Sequence, residues 1–336
     1  MPANEVRQKS VTLEDIAKLA GVHRRTVRDA IQGTGRVAAA TRENVLRITR
    51  ELNYVPNASA RALATGRTGR VAILSGSLKQ PYNSNAVHLL ESHLSRHGLE
   101  TMLVQSVTRE ERNANTIKAS QSDGVIALGV QQLNDEVKPG DAIPPWVLID
   151  TSTPDYIDHI TLDFRPAVEE AFNLMMASKR QRIAYVAHNY VPGSPPEVRR
   201  STYLELMNEA GRPPEIISML TNLEPAECIA VIKSYFRENG CPDALICQND
   251  ETAVYVYHAL VSLGVQIPEE AMLVGCDGLP LIEYLDTPLS TIAVPMEEIC
   301  EIAFQFLQNR MATPELPVQE RIIIGHLTIR KSLLAE

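Results

Sequence analysis

The spacing of apolar residues divides the chain into a short helical beginning and a long alternating remainder. Ile16, Leu19 and Ala20 give an apolar face to a first helix. Thr12 can cap that helix, and Asp15 three residues on completes a capping box. AGV at 20–22 predicts a three-residue turn at Gly21. A second helix, about 23–32, buries Val27, Ala30 and Ile31 and turns His23, Arg24, Arg25, Arg28, Asp29 and Gln32 outward before Gly33 ends it. A third, about 39–52, carries the stripe Val45, Ile48 and Leu52. Pro56 stops the chain, Asn57 offers a cap, and ASARALA follows as a helical segment too short to hold alone in water, which therefore needs a partner to fold. TGRTGR reads as a linker.

From Arg70 the pattern changes to apolar runs separated by helical stretches. VAIL (71–74), ETMLVQSV (100–107), GVIAL (124–128), PWVLID (145–150) and HITLD (159–163) form one series of strands. RIAYVAH (182–188), EIISML (215–220), DALICQ (243–248), AMLVGC (271–276) and IIIGHLTI (322–329) form a second. Strands alternating with helices of 10–15 residues predict βαβ units and parallel sheets. Two series predict two doubly wound α/β subdomains with a cleft between them.

Length agrees, because 336 residues are too many for one ordinary core. With 44% hydrophobic and 22% charged residues the composition is that of a soluble globular protein. No apolar run approaches the ~18 residues of a membrane span, and MPANEVRQKS lacks the apolar core of a signal peptide, so the expected location is the cytoplasm, away from membranes. The five cysteines (Cys228, Cys241, Cys247, Cys276, Cys300) show no metal spacing and are expected as small buried hydrophobes. Neither a metal nor a cofactor is expected. Trp146 is expected to pack rather than to stack on a ligand.

Charge changes the picture more. The chain carries a formal net charge of −9, yet residues 1–70 hold 13 Lys and Arg against 6 Asp and Glu, a balance of +7. The remaining 266 residues hold 19 against 35, a balance of −16. A small basic module is fused to a large acidic one, which points to a polyanion for the first and something else for the second. A helix, an AGV turn and a basic second helix are a helix-turn-helix signal, which a plain three-helix bundle can also show; in a helix-turn-helix, phosphate contacts give affinity and base-edge contacts give sequence choice.

VTLEDIAKLAGVxxxTV, TRENVLRITRELNYVPNASARALATGRTGRVAIL, SDGVIAL, RIAYV, QNDETA, PEEAMLVGCDG and the closing LTIRKS follow one another in order over about 330 residues. This succession closely resembles the lac/gal repressor (LacI/GalR) family of bacterial transcription regulators. The resemblance implies a helix-turn-helix DNA-binding head at 1–56, a hinge helix and linker at 57–69, and a periplasmic-binding-protein-like core at 70–336. Within that core it implies an N-subdomain of about 70–163 plus 294–320 and a C-subdomain of about 164–293 plus 321–336. The function implied is that of a sequence-specific regulator, a repressor, whose affinity for a pseudo-palindromic DNA operator is set by a small polar effector such as a sugar. A homodimer follows from the two-fold symmetry of such a site. LTIRKSLLAE is followed by no leucine heptad, so a dimer without a tetramerising tail is expected.

The resemblance places Thr12, His23, Arg24, Arg25, Thr26, Arg28, Asp29, Asn57, Arg61 and Leu63 at the DNA. The family commonly reads GVSxxTVSRxLN over 21–32, whereas this chain has His23 and Arg28 for the two serines, Asp29 for arginine and Gln32 for asparagine. Arg24 and Arg25 fall on the two variable, base-reading positions, where arginine suits guanine N7 and O6; a phosphate contact is the alternative for either. Asp29 either pairs with Arg25, four residues before it, or accepts from cytosine N4; the pairing is the favoured expectation. Leu63 aligns with the hinge leucine that wedges into the minor groove at the operator centre.

In the core, the resemblance places effector contacts on loops at the carboxyl ends of strands, at Tyr82, Asp150, Arg199, Asn249 and Asp277. Carboxylate, amide and guanidinium groups beside aromatic rings suit a hydroxyl-rich ligand. Thr202 stands where the family often has glycine, Gly278 where a second aspartate is frequent, and Val294 where glutamine is common. The rival reading is a transport-associated sugar-binding protein with the same core, which would lack a basic head and carry an export signal. An enzyme is not expected, because the chain has no P-loop, GxGxxG, HExxH or GxSxG, and its histidines fit no nucleophile arrangement.

Overall fold

The computed structural model describes residues 11–54, 66–105, 122–129, 144–149, 156–188, 197–220 and 223–334. They fall into two compact units, up to Thr68 and from Gly69 onward.

The first unit is a three-helix head of α1 (Leu13–Ala20), α2 (Arg24–Gln32) and α3 (Ala39–Glu51). Thr12 and Asp15 close the reciprocal capping box, and Gly21 takes the left-handed conformation (φ 65°) that turns α1 into α2 without a Cβ penalty. Ile16, Ala17, Val27, Ala30, Val45 and Ile48 form its core. The expected inward position of Leu19 is incorrect. The buried stripe of α1 is Leu13, Ile16, Ala17 and Ala20, at i, i+3, i+4 and i+7, which leaves Leu19 64% exposed.

The second unit holds two six-stranded sheets. The first contains β1 (Arg70–Ser75), β2 (Glu100–Gln105), β3 (Gly124–Leu128), β4 (Trp146–Ile149), β5 (Asp158–Asp163) and β11 (Glu320–Ile324), in the order β11-β5-β4-β3-β1-β2 and parallel throughout. The second contains β6 (Ile183–His188), β7 (Glu215–Met219), β8 (Ala244–Cys247), β9 (Met272–Cys276), β10 (Ser290–Ala293) and β12 (His326–Thr328), in the order β12-β10-β9-β8-β6-β7, with only β12 antiparallel. The central strands β3, β4, β8 and β9 are buried along their whole length, as parallel strands covered on both faces must be. Trp146 opens β4 and packs with Leu74, Val125 and Ile157.

Helices α4 (Pro81–Arg96) and α9 (Met296–Ala312) lie with the first sheet; α5 (Arg165–Ala177), α6 (Val198–Glu209), α7 (Pro225–Asn239) and α8 (Asp250–Ser262) lie with the second. The chain crosses between sheets at Phe164, after β10, and at Gly325, whose amide donates to the Asp163 carbonyl at 2.8 Å.

Two strand readings need correction. IIIGHLTI (322–329) is not one strand of the second series, because Gly325 divides it: 320–324 runs beside β5 in the first sheet and 326–328 beside β10 in the second. Residues 321–324 therefore belong with the first sheet and not with the second lobe. β10 is absent from the expected strands; its four residues, STIA, open on Ser290 and Thr291 and so show no apolar run. Cys228, Cys247, Cys276 and Cys300 are buried free thiols, and Cys241 is half-buried. Among the described residues no helix is long and apolar enough to cross a membrane.

Candidate nucleic-acid interface and ligand cavity

In the head, burial of Val27 and Ala30 fixes the rotation of α2 and leaves His23, Arg24, Arg25 and Arg28 exposed, with Thr26 and Asp29 half-buried. His23 caps the helix: its Nδ1 accepts the Arg25 amide at 3.2 Å. That requires the lone pair on Nδ1, so in the neutral ring the proton sits on Nε2 as an outward donor. Thr12 spends its hydroxyl within the capping box, donating to Asp15 at 2.7 Å. Arg24, Arg25 and Arg28 form no ion pair among the described residues, so three guanidinium groups on one face remain available to an anion. Arg24 also lies near Tyr54, whose phenol burial pushes up and Arg24 partly brings down again. The favoured Arg25–Asp29 pair is absent among the described residues. The Asp29 carboxylate instead lies against Gly35, 2.9 Å from where a side chain there would begin. Asn57, Arg61 and Leu63 lie outside the described residues, as does Asp150 in the core.

In the second unit, the carboxyl ends of parallel strands carry the loops that lead into helices, and four expected residues meet there. Tyr82, Arg199, Asn249 and Asp277 line a single cavity of about 280 Å³. Each arrives from a different place: Tyr82 from the first turn of α4, Arg199 from the first turn of α6, Asn249 from the cap of α8, and Asp277 from the turn after β9. Three helix amino termini face the same space, each with its partial positive charge.

Arg199 is the best-held of the four. Its Nε donates to Glu197 at 2.8 Å, Nη1 donates to the Cys276 sulfur at 3.3 Å and stands 4.0 Å from Asp277, and the guanidinium lies 4.9 Å over the Phe164 ring. Glu197 caps α6 and accepts the Tyr185 hydroxyl at 2.5 Å. Burial works against ionising Glu197, but the charge of Arg199 and the hydrogen bonds from Tyr185 and Arg199 outweigh it and hold the carboxyl below its ordinary range. Burial likewise opposes the charge on Arg199, and Glu197 above all overcomes it. Burial, then the neighbouring Glu197 charge, pushes the Tyr185 phenol far up, so it stays a donor. The result is a fixed cation whose orientation is settled before any ligand arrives.

Asn249 accepts the Thr252 amide at 2.9 Å, so its carbonyl is committed to capping and its amide nitrogen is the group it can offer. Gln80, Asn83, Phe164, Gln248 and Glu251 also line the cavity and were not singled out in the sequence. Asn83 donates to the Ser77 carbonyl and to Gln80. The one signal for Glu197 was its place two residues before Arg199 at a helix start; Gln248 and Glu251 stand in the QNDETA motif, and Gln80, Asn83 and Phe164 carried none. Hydroxyl-rich ligands are what convergent amide, carboxylate and guanidinium groups over an aromatic floor can hold. Among the described residues no His, Cys, Asp and Glu group is arranged to hold a metal.

Residues 12–57 match the model described as bacterial regulatory proteins, lacI family, and residues 173–333 match a periplasmic binding protein-like domain. The chain is 24% identical over 323 residues to catabolite control protein A of Staphylococcus epidermidis, covering 94% of this chain and 97% of that one. It is 26% identical over 329 residues to the ribose operon repressor of Haemophilus influenzae, covering 96% and 98%. Its fold matches that of the lac repressor dimer bound to operator and the anti-inducer ONPF with a TM-score of 0.83 at 22% identity, over 97% of this chain and 100% of that one. A basic helix-turn-helix and a two-sheet ligand-binding core in one chain, each matched by its own model and both spanned by full-length relatives, identify the protein as a member of the lacI family of bacterial regulatory proteins.

Proposed function

We propose that this protein is a repressor that binds a pseudo-palindromic operator as a homodimer and is controlled by a small polar effector, a sugar or sugar derivative, in the cavity of its core. The observation that carries the reading is the meeting of Tyr82, Arg199, Asn249 and Asp277 around one cavity in a chain whose separate head exposes Arg24, Arg25 and Arg28 on one helix face. Arg24 and Arg25 read base edges, while Arg28 and the His23 Nε2 donor serve phosphates. Leu63 wedges the operator centre, with Asn57 and Arg61 beside it, and Asp150 completes the effector contacts. A second copy is supported by Leu281 and Tyr284, which stand 78% and 81% exposed on one short helical turn at 280–284. The ligand is bound and not transformed, and the protein works in the cytoplasm, where its operator is.

Effector control requires that the ligand prefer one arrangement of the core to another, and the coupling is reciprocal. A transport-associated binding protein is the less favoured reading, since it has no use for the basic head. The test is fluorescence anisotropy of DNA fragments flanking the protein's own gene, with ribose, cellobiose and lactose as probes. A fragment bound at least ~1,000-fold more tightly than random DNA, as specific binding requires, supports the reading. Equal affinity for all fragments contradicts it.

A further inference from the structure

Asp250 opens α8 directly after Asn249, yet it is fully buried and does not line the cavity. Helix capping does not account for it, because Asn249 already holds the cap. One Asp250 oxygen accepts the Leu279 amide at 2.7 Å and the other accepts the Thr291 hydroxyl at 2.7 Å. The Thr291 oxygen in turn accepts the Gly278 amide at 3.2 Å. Two successive amides of the turn after β9 thus end, directly or through Thr291, on one carboxylate. Asp277, the residue before them, has a φ of 124°, a left-handed value that a side chain keeps only where its surroundings impose it. Its own amide donates to the Ile292 carbonyl at 2.8 Å, so the turn is tied at both ends. Gly275 makes room for the arrangement, since a Cβ there would sit 2.1 Å from Asp250 Oδ1.

We propose that Asp250 is the positioning residue of the cavity: through the Leu279 amide and the Thr291 hydroxyl it fixes the 277–279 turn and so aims the Asp277 carboxylate at the ligand. The role rests on the reading of the cavity as the effector site. Burial pushes the Asp250 carboxyl up to about 6, against its hydrogen bonds and the charge of Arg330, which favour ionisation. The Cys247 and Cys276 thiols beside it are pushed up by their own burial and stay neutral between pH 7.5 and 5. Protonation converts charge-assisted hydrogen bonds into weaker neutral ones and loosens the turn.

The experiment is hydrogen exchange on the full chain, following residues 277–282 from pH 7.5 to 5 after correction for intrinsic rates. It is paired with the affinity of whichever of ribose, cellobiose and lactose gives the largest thermal shift. In the wild type, exchange of that segment rises about fivefold as pH falls, with a midpoint near 6. Asp250→Asn flattens the step. Thr291→Val raises exchange at every pH and weakens sugar affinity about fivefold or more, and Thr291→Ser restores both. Exchange that is flat with pH and unmoved by Thr291→Val overturns the proposal. A loosened turn with unchanged sugar affinity also overturns it. In that case Arg199→Ala locates the failure: loss of sugar binding there leaves the cavity reading standing, and its persistence removes that reading too.

Discussion

The two ends of this regulator are built on opposite principles. The candidate DNA surface is local: Arg24, Arg25 and Arg28 lie within five positions of one helix, and none forms an ion pair among the described residues. The candidate ligand site is assembled from residues as far apart as Tyr82 and Asp277, and its charged groups are bound to one another before a ligand enters. Surface residues of the first kind contribute to function one at a time and little to stability. Buried residues of the second kind contribute to both together.

Arg199→Ala puts that contrast to its strongest test. Removing the guanidinium leaves Glu197 with Tyr185 as a half-buried carboxylate without its cation, which costs about 3 kcal/mol of core stability, and the effector response is lost with it; chemical denaturation and effector titration read the two effects. Asp250→Asn should move stability the other way at neutral pH. Burial raises the folded carboxyl to about 6 from the ordinary 3.8, so the folded state binds the proton more tightly than the unfolded one. The stabilisation from that proton is fully present below about 3.8 and lost as pH rises through about 6. Asparagine, which never ionises, therefore makes the variant more stable than wild type by about 3 kcal/mol at pH 7.5, with the difference gone near pH 4 in denaturant melts.

In the head, Arg24→Ala or Arg25→Ala should cost about 1–3 kcal/mol at the cognate operator and relax one base position while leaving the melting temperature in place. Equal weakening on random DNA makes that arginine a phosphate clamp instead. Asp277→Gly relieves the positive φ and should stabilise the core by about 1 kcal/mol while weakening the effector by at least as much, which separates backbone strain from ligand contact. Asp29→Ala should have the smallest effect, within about 0.5 kcal/mol in stability, because its carboxylate rests against Gly35 and not on Arg25. A large specificity change would revive the cytosine contact.

What the sequence made legible follows the same division. The three head helices, the outward basic face of α2 and nine of the twelve strands among the described residues, β1 to β9, follow from periodicity of 3.6 and 2 and from local caps and turns. Leu19 escaped because an apolar residue one position outside the stripe looks the same in sequence as one inside it. β10 escaped because its STIA opens on two polar residues and shows no apolar run, and the division at Gly325 escaped because β11 pairs with β5, far earlier in the chain, while β12 pairs with β10; nothing within IIIGHLTI records that its two halves separate. Tyr82, Arg199, Asn249 and Asp277 were reachable through family resemblance, each standing in a recognisable motif. Glu197, Phe164 and Asp250 act through buried contacts that only folding creates.

The measurement closest to the central claim, that one chain couples a DNA-reading helix to a ligand cavity, is operator affinity by fluorescence anisotropy in the wild type and in Asp277→Ala, each with and without ribose, cellobiose and lactose. Asp277→Ala tests the coupling without removing the Arg199 cation that neutralises Glu197. Both proteins should bind the operator equally in the absence of sugar. At least one sugar should shift the wild-type affinity about fivefold or more, and that shift should be cut to a small fraction in the variant. A sugar that shifts both proteins alike, or a variant that loses operator binding without any ligand, would contradict the account.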